Sequence, residues 1–431
     1  MKLLKSPHIS PFGGLNFVLE EFDRLNVGNL LSQELPALPK QTYYSWRDLF
    51  YSFWSVLLCG GSCAEDLAEN FKLSLSKNPL LKVPSPDRVL DRMKQLANSS
   101  QIYTTPRGER EHEFCHNDLL NMLNIKLLKR MPSFNKKAVT LDYDNTLIFT
   151  NKEDANMTYK KQFGYAPGVG IVGNKVVYIE NRNGNSAAQN LQEMTLSRMF
   201  RLLGDEGVTV DKFRADGASY QLKTLLTIRE NTQKFYVRAN LSEAVTSVIG
   251  TIENWTKIQT DQQEFFRGEI EYTPFKNQAK RDKCTHLLQP YRLVVTKVKR
   301  ADGQLNFFTQ EAYNYHCIIT NDYEMTLDQI VMFYNQRGAI ERQFDVLKND
   351  FSWKNMPFSK ISQNTVFLIF TAICRNLYDH IILTFTTKFK QLTPRDRLKK
   401  FIFRFICLPA KWIKKARQWQ LRIYGQVAFK T

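Results

Sequence analysis

Near Lys137 the chain changes texture from helical to sheet-like, and that switch confines it to a mixed α/β fold with helices leading. The run KKAVTLDYDNTLIF alternates apolar and polar residues and is rich in β-formers, so a central strand begins there. Two further β-like runs, GIVGNKVVYIE and VTVDKFRADG, flank a helical stretch near Ala187–Leu203. Upstream, SWRDLFYSFWSVLL is a strongly apolar helix ending at Gly60-Gly61, and Ser85-Pro86 opens another with a capping serine and a first-turn proline. That second helix displays Arg88, Arg92 and Lys94, which suits a helix-turn-helix-like DNA reader and an ordinary helical bundle equally well. Between residues 235 and 322 lie the strand-like segments YVRAN, FRGEIEYTPF, YRLVVTKVKR, LNFFTQ and NYHCIIT. The expected organisation is a helical region over 1–133, a core split between 134–232 and 323–387, a β-rich insertion over 233–322, and a basic helical tail over 388–431.

The charge balance points to a polyanion. Lys and Arg number 60 against 42 Asp and Glu, a net +18. From Lys388 onward there are thirteen cations and one acid, Asp396, with Phe401, Phe403, Phe405, Trp412, Trp419 and Tyr424 set among them. A tail of that kind is expected to fold and to meet nucleic acid through Lys411, Lys414 and Lys415. Seven unpaired-looking cysteines and the absence of a secretory pattern at MKLLKSPHIS place the chain in a reducing cytoplasm. The apolar segment 365–385 carries Arg375, Asp379 and His380 and reads as a buried helix, so no membrane partner is expected. GYAPGVGIVG lacks the Gly-Lys-Ser/Thr ending of a phosphate loop, and no nucleotide cofactor is expected either.

The stretch YNQRGAIERQFDVLK carries the functional signal. Wound as one helix, Tyr334, Arg337, Glu341 and Lys348 fall within about 60° of each other. Phe333, Ile340, Phe344 and Leu347 form the adjoining apolar stripe. A carboxylate between two cations and a phenol suits a metal-bound phosphodiester. Further carboxylates arrive from elsewhere: Asp142 and Asp144 share a face of the first strand, and Asp216 ends a later one. Acids from separate elements can converge on two hard divalent cations about 4 Å apart, which activate a nucleophile and stabilise the leaving oxygen.

These residues resemble those of bacterial insertion-sequence transposases of the DDE class, which have a ribonuclease-H-like catalytic core. Tyr334, Arg337, Glu341 and Lys348 match the spacing that marks one branch of that class, RADG is similar to its second acidic motif, and DYDNT to its first. The resemblance implies that Asp144, Asp216 and Glu341 hold two Mg2+ or Mn2+ ions. Asp142 remains a second option for the first position. It further implies that Tyr334, Arg337 and Lys348 hold phosphates of transposon ends, and that the chain cuts inverted-repeat ends and joins them to target DNA as a homodimer. Trp255 is a candidate to stack on a flipped base, although a place in the core is the favoured reading. Two rivals stand beside this. VTLDYDNTL matches the nucleophile loop of haloacid-dehalogenase-like phosphatases, with Asp142 attacking and Asp144 as acid–base partner. A catalytically idle, transposase-derived DNA-binding regulator is the other. A zinc site from Cys284, His286, His316 and Cys317 has suitable ligand types but no closed-site spacing.

Overall fold

The structure, a computed structural model, describes residues 8–104, 111–259, 264–300, 303–305 and 312–425. Most of the LNFFTQ run lies outside the described residues. Helices α1 (Leu15–Arg24), α2 (Val27–Glu34), α3 (Trp46–Leu58), α4 (Lys72–Leu75) and α5 (Pro86–Lys94) come first. Their starts follow the sequence signals. Ser45 and Asp48 form a reciprocal capping box on α3, and Ser85 caps α5 ahead of Pro86. The region up to residue 133 is not helical throughout, however. Strands β1 (Gln101–Thr104) and β2 (Glu111–His116) precede α6 (Asp118–Leu128), because EHEFCH buries His112, Phe114 and Cys115 against the sheet that follows.

The central sheet starts with β3 (Val139–Asn145). A small separate sheet follows, made of β4 (Ile148–Phe149), β5 (Asn156–Met157) and β6 (Phe163–Tyr165). Next come β7 (Gly168–Val172), the wholly buried β8 (Lys175–Arg182), α7 (Gln192–Asp205), β9 (Val210–Ala215), α8 (Leu222–Asn231) and β10 (Lys234–Ala239). Within the sheet these strands stand in the order β8-β7-β3-β9-β10. The hairpin pairs are antiparallel and β3-β9-β10 are parallel. An antiparallel three-strand meander continued by two parallel strands is the ribonuclease-H-like arrangement. It brings the exits of β3 and β9 side by side. Gly170 allows α7 to lie close on this sheet, since a Cβ there would stand 2.5 Å from Met199 Sδ.

The β-rich block extends the same sheet instead of standing apart. After α9 (Glu243–Ile249), strands β11 (Thr256–Gln259), β12 (Glu264–Tyr272), β13 (Tyr291–Lys299) and β14 (Tyr313–Thr320) form a meander, with α10 (Lys276–Arg281) between β12 and β13. Strand β14 pairs antiparallel with β10, giving eleven strands in one sheet among the described residues.

Helices α11 (Leu327–Asn335), α12 (Ala339–Asp350) and α13 (Ile361–Thr386) return to the core. The stretch expected as one helix across Tyr334–Lys348 is two, joined by a 3₁₀ turn at Gln336–Gly338. Glycine at 338, a weak helix former, lies at this break. Helix α13 is long and apolar enough to cross a membrane, but it is buried inside the protein. Phe370 stacks on Phe50 of α3 with ring centres 3.8 Å apart, and Trp54 Nε1 donates to Phe370 O at 3.1 Å. The charged groups of α13 are matched: Asp379 meets Lys175 at 2.5 Å and Arg375 at 3.6 Å, and His380 meets Glu21 at 3.0 Å.

The tail departs from expectation. Among its described residues only α14 (Leu398–Phe401) and the turn to Ile406 are helical, and β15 (Ala410–Lys415) and β16 (Gln418–Ile423) then form a hairpin. Pro409 has no N–H to continue a helix, and the following Ala410–Lys415 pairs in register with Gln418–Ile423. Its Ala410 pairs with Ser10, and Trp412 Nε1 donates to Asn16 at 3.3 Å. Phe401 and Phe405, set among the tail's cations, are core residues.

Candidate functional site

Asp144 lies at the end of β3, where the chain leaves the sheet, and Asp216 immediately follows β9. Because β3 and β9 are parallel neighbours, both carboxylates come to one edge of the sheet. Asp216 Oδ1 accepts from Ala218 N at 3.0 Å, capping the 3₁₀ turn Gly217–Ser219. The glycine of RADG is required by close approach: a Cβ on Gly217 would run into Asn240 Oδ1. Glu341 is in the first turn of α12, whose Ile340, Phe344 and Leu347 are buried as the apolar stripe predicted. Asp144, Asp216, Glu341 and Lys348 line a single open cleft of about 550 Å³, together with Asp345 and Lys354.

Arg337, in the 3₁₀ turn, points into this group. Its Nη2 donates to Asp144 Oδ2 at 2.8 Å and stands 3.9 Å from Asp216 Oδ2. Burial pushes Asp144 up to about 7; Arg337 pulls it down, while Asp216 and Glu341 push it further up. Asp144 therefore feels the charge of both other acids. Among the described residues, no three His, Cys, Asp or Glu side chains are close enough to hold one ion as they stand. The donor set is nonetheless of the right chemistry: hard carboxylate oxygens, mutually repelling, already drawn to a cation. Arg337 Nε is a buried donor without a hydrogen-bond partner.

Asp142 has a different place. It faces Arg214 directly across β3 and β9, and Arg214 grips it bidentately, Nε to Oδ1 at 2.6 Å and Nη2 to Oδ2 at 2.8 Å. Arg214 Nη1 also donates to Phe333 O at 2.6 Å, tying α11 to the sheet. Asp142 is buried and does not line the cleft. Of the two first-strand aspartates, Asp144 is therefore the one that opens on the cleft, and Asp142 is held by Arg214 behind it. Sequence reasoning passed over Arg214, although pairing β3 with β9 in register would have found it.

The remaining candidates divide. Tyr334 leaves the common face because of the break before α12. Its hydroxyl donates to Ala215 O at 3.3 Å, beside Asp216, and its ring lines a neighbouring pocket with Arg238 and His316. Lys348 keeps to the cleft, and burial with Lys354 nearby lowers its proton affinity. Arg88 is exposed on α5, while Arg92 donates to Gln95 Oε1 at 2.6 Å; neither lines the cleft. Lys411, Lys414 and Lys415 are on β15 of the terminal hairpin. Trp255 is packed as a structural residue: its Nε1 donates to Ile252 O at 3.0 Å and Lys297 Nζ sits 4.2 Å above its ring. The zinc reading finds no support, since no metal-holding group of three exists among the described residues. All seven cysteines are free.

Comparison with known proteins gives one family. A family model described as Transposase DDE domain group 1 matches residues 7–431. No curated protein sequence matches. Among solved structures, the chain is similar to the piggyBac transposase synaptic complex with hairpin DNA, at 11% identity and a TM-score of 0.43, over 92% of this chain and 79% of that one.

Proposed function

Because the chain belongs to the family of transposases with a DDE domain of group 1, we propose that it is the transposase of a bacterial insertion sequence. It acts in the cytoplasm on nucleoid DNA, cutting inverted-repeat ends and joining them to target DNA by cut-and-paste. Paired-end chemistry calls for a homodimer on the duplex. The observation that carries the reading is the meeting of Asp144, Asp216 and Glu341, from three separate elements, in one cleft beside Arg337.

Asp144, Asp216 and Glu341 would hold two Mg2+ or Mn2+ ions. Bound there, the pair supplies activation of a water or 3′ hydroxyl and charge neutralisation at the leaving oxygen. The chain's own groups do the rest. Lys348 and Lys354 on the cleft wall bind strand phosphates, and Arg337 binds another. Tyr334 braces the backbone next to Asp216, holding that carboxylate in place. Asp142 acts as the buried counter-charge of Arg214 and has no chemical role. Arg88, Arg92, Lys411, Lys414 and Lys415 contribute distributed contacts to the duplex backbone.

The test is a cleavage assay on a plasmid carrying the DNA that flanks both sides of the coding region. The full chain with Mg2+ should release the segment between the ends, and chelation should stop it. Glu341→Ala and Asp216→Ala should abolish cutting while end binding persists, because affinity comes mainly from distributed cations. Cutting by either variant at the native rate, or equal loss of binding and cutting, overturns the assignment.

A further inference from the structure

From the tail, Arg397 reaches back to α12, the helix that carries Glu341 and Lys348. Its Nη1 donates to Asp345 Oδ2 at 2.7 Å, and its Nε and Nη2 take the two oxygens of Asp350 at 3.0 and 3.1 Å. The mount behind it is rigid. Arg397 stands at the N-cap of α14, and the preceding Asp396 is buried, its carboxylate accepting from Thr393 N, Thr393 Oγ1 and Arg404 Nη1. The Asp396 carbonyl accepts from the Tyr378 hydroxyl of α13 at 2.6 Å. Tyr378 in turn packs its ring against Phe351 and Phe401. The Arg397 and Asp345 side chains are about half exposed, and an ion pair in that setting adds little to stability. Its consequence lies in what it does to Asp345.

Asp345 follows Glu341 by four residues and precedes Lys348 by three, so the three share one edge of α12. All three line the cleft with Lys354. Both Asp345 oxygens are engaged: Oδ2 by Arg397, and Oδ1 by Asn349 Nδ2, whose own Oδ1 accepts from Lys354 Nζ at 2.8 Å. Lys348 is close enough to feel the Asp345 charge, yet it makes no ion pair with any described residue. A carboxylate released from Arg397 would have this lysine one helical turn away, and opposite charges three residues apart on a helix attract.

We propose that Arg397 is a positioning residue: it holds the Asp345 carboxylate so that Lys348 stays free to take a phosphate of the strand in the cleft. On the transposase reading, which this presupposes, Arg397 supports one phosphate contact without touching DNA. The tail's positive charge is then of two kinds. Lys411, Lys414 and Lys415 project from the terminal hairpin, whereas the charge of Arg397 is taken up by Asp345 and Asp350.

The experiment compares four full-length proteins: the unaltered chain, Arg397→Gln, Asp345→Asn and the double variant. One readout is acetylation of Lys348 by acetic anhydride without DNA, followed by mass spectrometry. The other is affinity for a labelled duplex from the flanking DNA across a salt series. In Arg397→Gln, Lys348 should be acetylated more slowly. Binding at about 0.1 M salt should weaken about eightfold and the salt slope should fall by about 0.9, the loss of one phosphate contact. Asp345→Asn should restore all three in the double variant and change little alone, since Arg397 already neutralises Asp345. A merely structural role through Asp350 would not be relieved at Asp345. A double variant that is not restored therefore overturns the proposal, and so does Lys348 acetylation unaltered by Arg397→Gln. A parallel set carrying Asp350→Asn, which removes the acid left unpaired at the end of α12, replaces the first if Arg397→Gln fails to fold. Mg2+-dependent cutting by the unaltered chain is read separately. The expected acetylation pattern without cutting discards the transposase and keeps Arg397 as the holder of Asp345; cutting without that pattern does the reverse.

Discussion

Arg214 gives the sharpest single test, because it separates two adjacent aspartates that a motif cannot tell apart. Its guanidinium makes two short bonds to Asp142 and one to Phe333 O, and both side chains are at most 9% exposed. Replacing it by methionine leaves a carboxylate buried among apolar neighbours with no partner. Breaking one side of such a pair costs about 3–5 kcal/mol. The carbonyl of Phe333 loses its donor as well, for about 1 kcal/mol more. An unfolding entropy of about 2.1 cal/mol/K per residue gives about 0.9 kcal/mol/K for this chain melting as one unit. The shared core linking the N-terminal helices, the sheet and α13 supports melting of that kind. Arg214→Met should therefore lower Tm by about 5 °C. Joint replacement, Asp142→Leu with Arg214→Met, removes both charges at similar volume and should recover most of that loss. Differential scanning calorimetry of the four proteins closes the cycle. Melting of Arg214→Met with the parent, or a double variant no more stable than the single one, would refute this account of the pair. The double variant also decides the chemistry: folded but unable to cut DNA, it would return Asp142 to the ion site.

Other expectations follow from the same geometry. Arg337→Gln removes the cation beside Asp144 and Asp216, so Tm in chelator should fall by about 2 °C, for a loss of about 2 kcal/mol, and added Mg2+ should restore it; equal losses with and without Mg2+ would count against a shared ion site. Changing Lys414, Lys415 and Arg417 to Gln should reduce the salt slope of duplex binding by up to about 0.9 for each phosphate no longer neutralised, with Tm unchanged; an unchanged slope would show that the hairpin faces something else. Asp118 is held below its ordinary value chiefly by the hydrogen bond from His116, with Arg201 assisting. Its contribution to stability is thus present above about pH 4 and lost on acidification, and Asp118→Asn should flatten the fall in Tm between about pH 5 and pH 3; an unaltered acid limb would exclude it.

Local rules were legible where the determinants were local. The capped start of α5 could be read from a serine and a proline, the helix at α3 from its apolar run, and the strand at β3 from its alternation. The apolar stripe of α12 emerged from its period, and the burial of α13 from its charges. The tail failed on the same ground. Lysine-rich, aromatic-rich sequence fits helix or strand, and the choice fell to Pro409 and to tertiary partners, Ser10 and Asn16, that are distant in sequence. A single period fits all four signature residues, which predicts one helix. The break before α12 moves Tyr334 off that face and lets Arg337 reach the carboxylates.

The break has a consequence for how the site works. On one continuous helix, Arg337 and Glu341 would project side by side along a single edge. In the 3₁₀ turn, Arg337 is aimed at Asp144 and Asp216 while Glu341 stays on α12, so one cation is set between the two acids contributed by the sheet. Repulsion among carboxylates in a partly dry cleft would otherwise press them apart. On the transposase reading proposed above, a guanidinium that can be satisfied by either carboxylate or phosphate would hold Asp144 and Asp216 together before DNA arrives. Substitution of lysine at 337 tests this directly. It keeps the charge but loses the planar fork, so stability in chelator should survive while end cutting falls; retention of both would show that charge alone suffices.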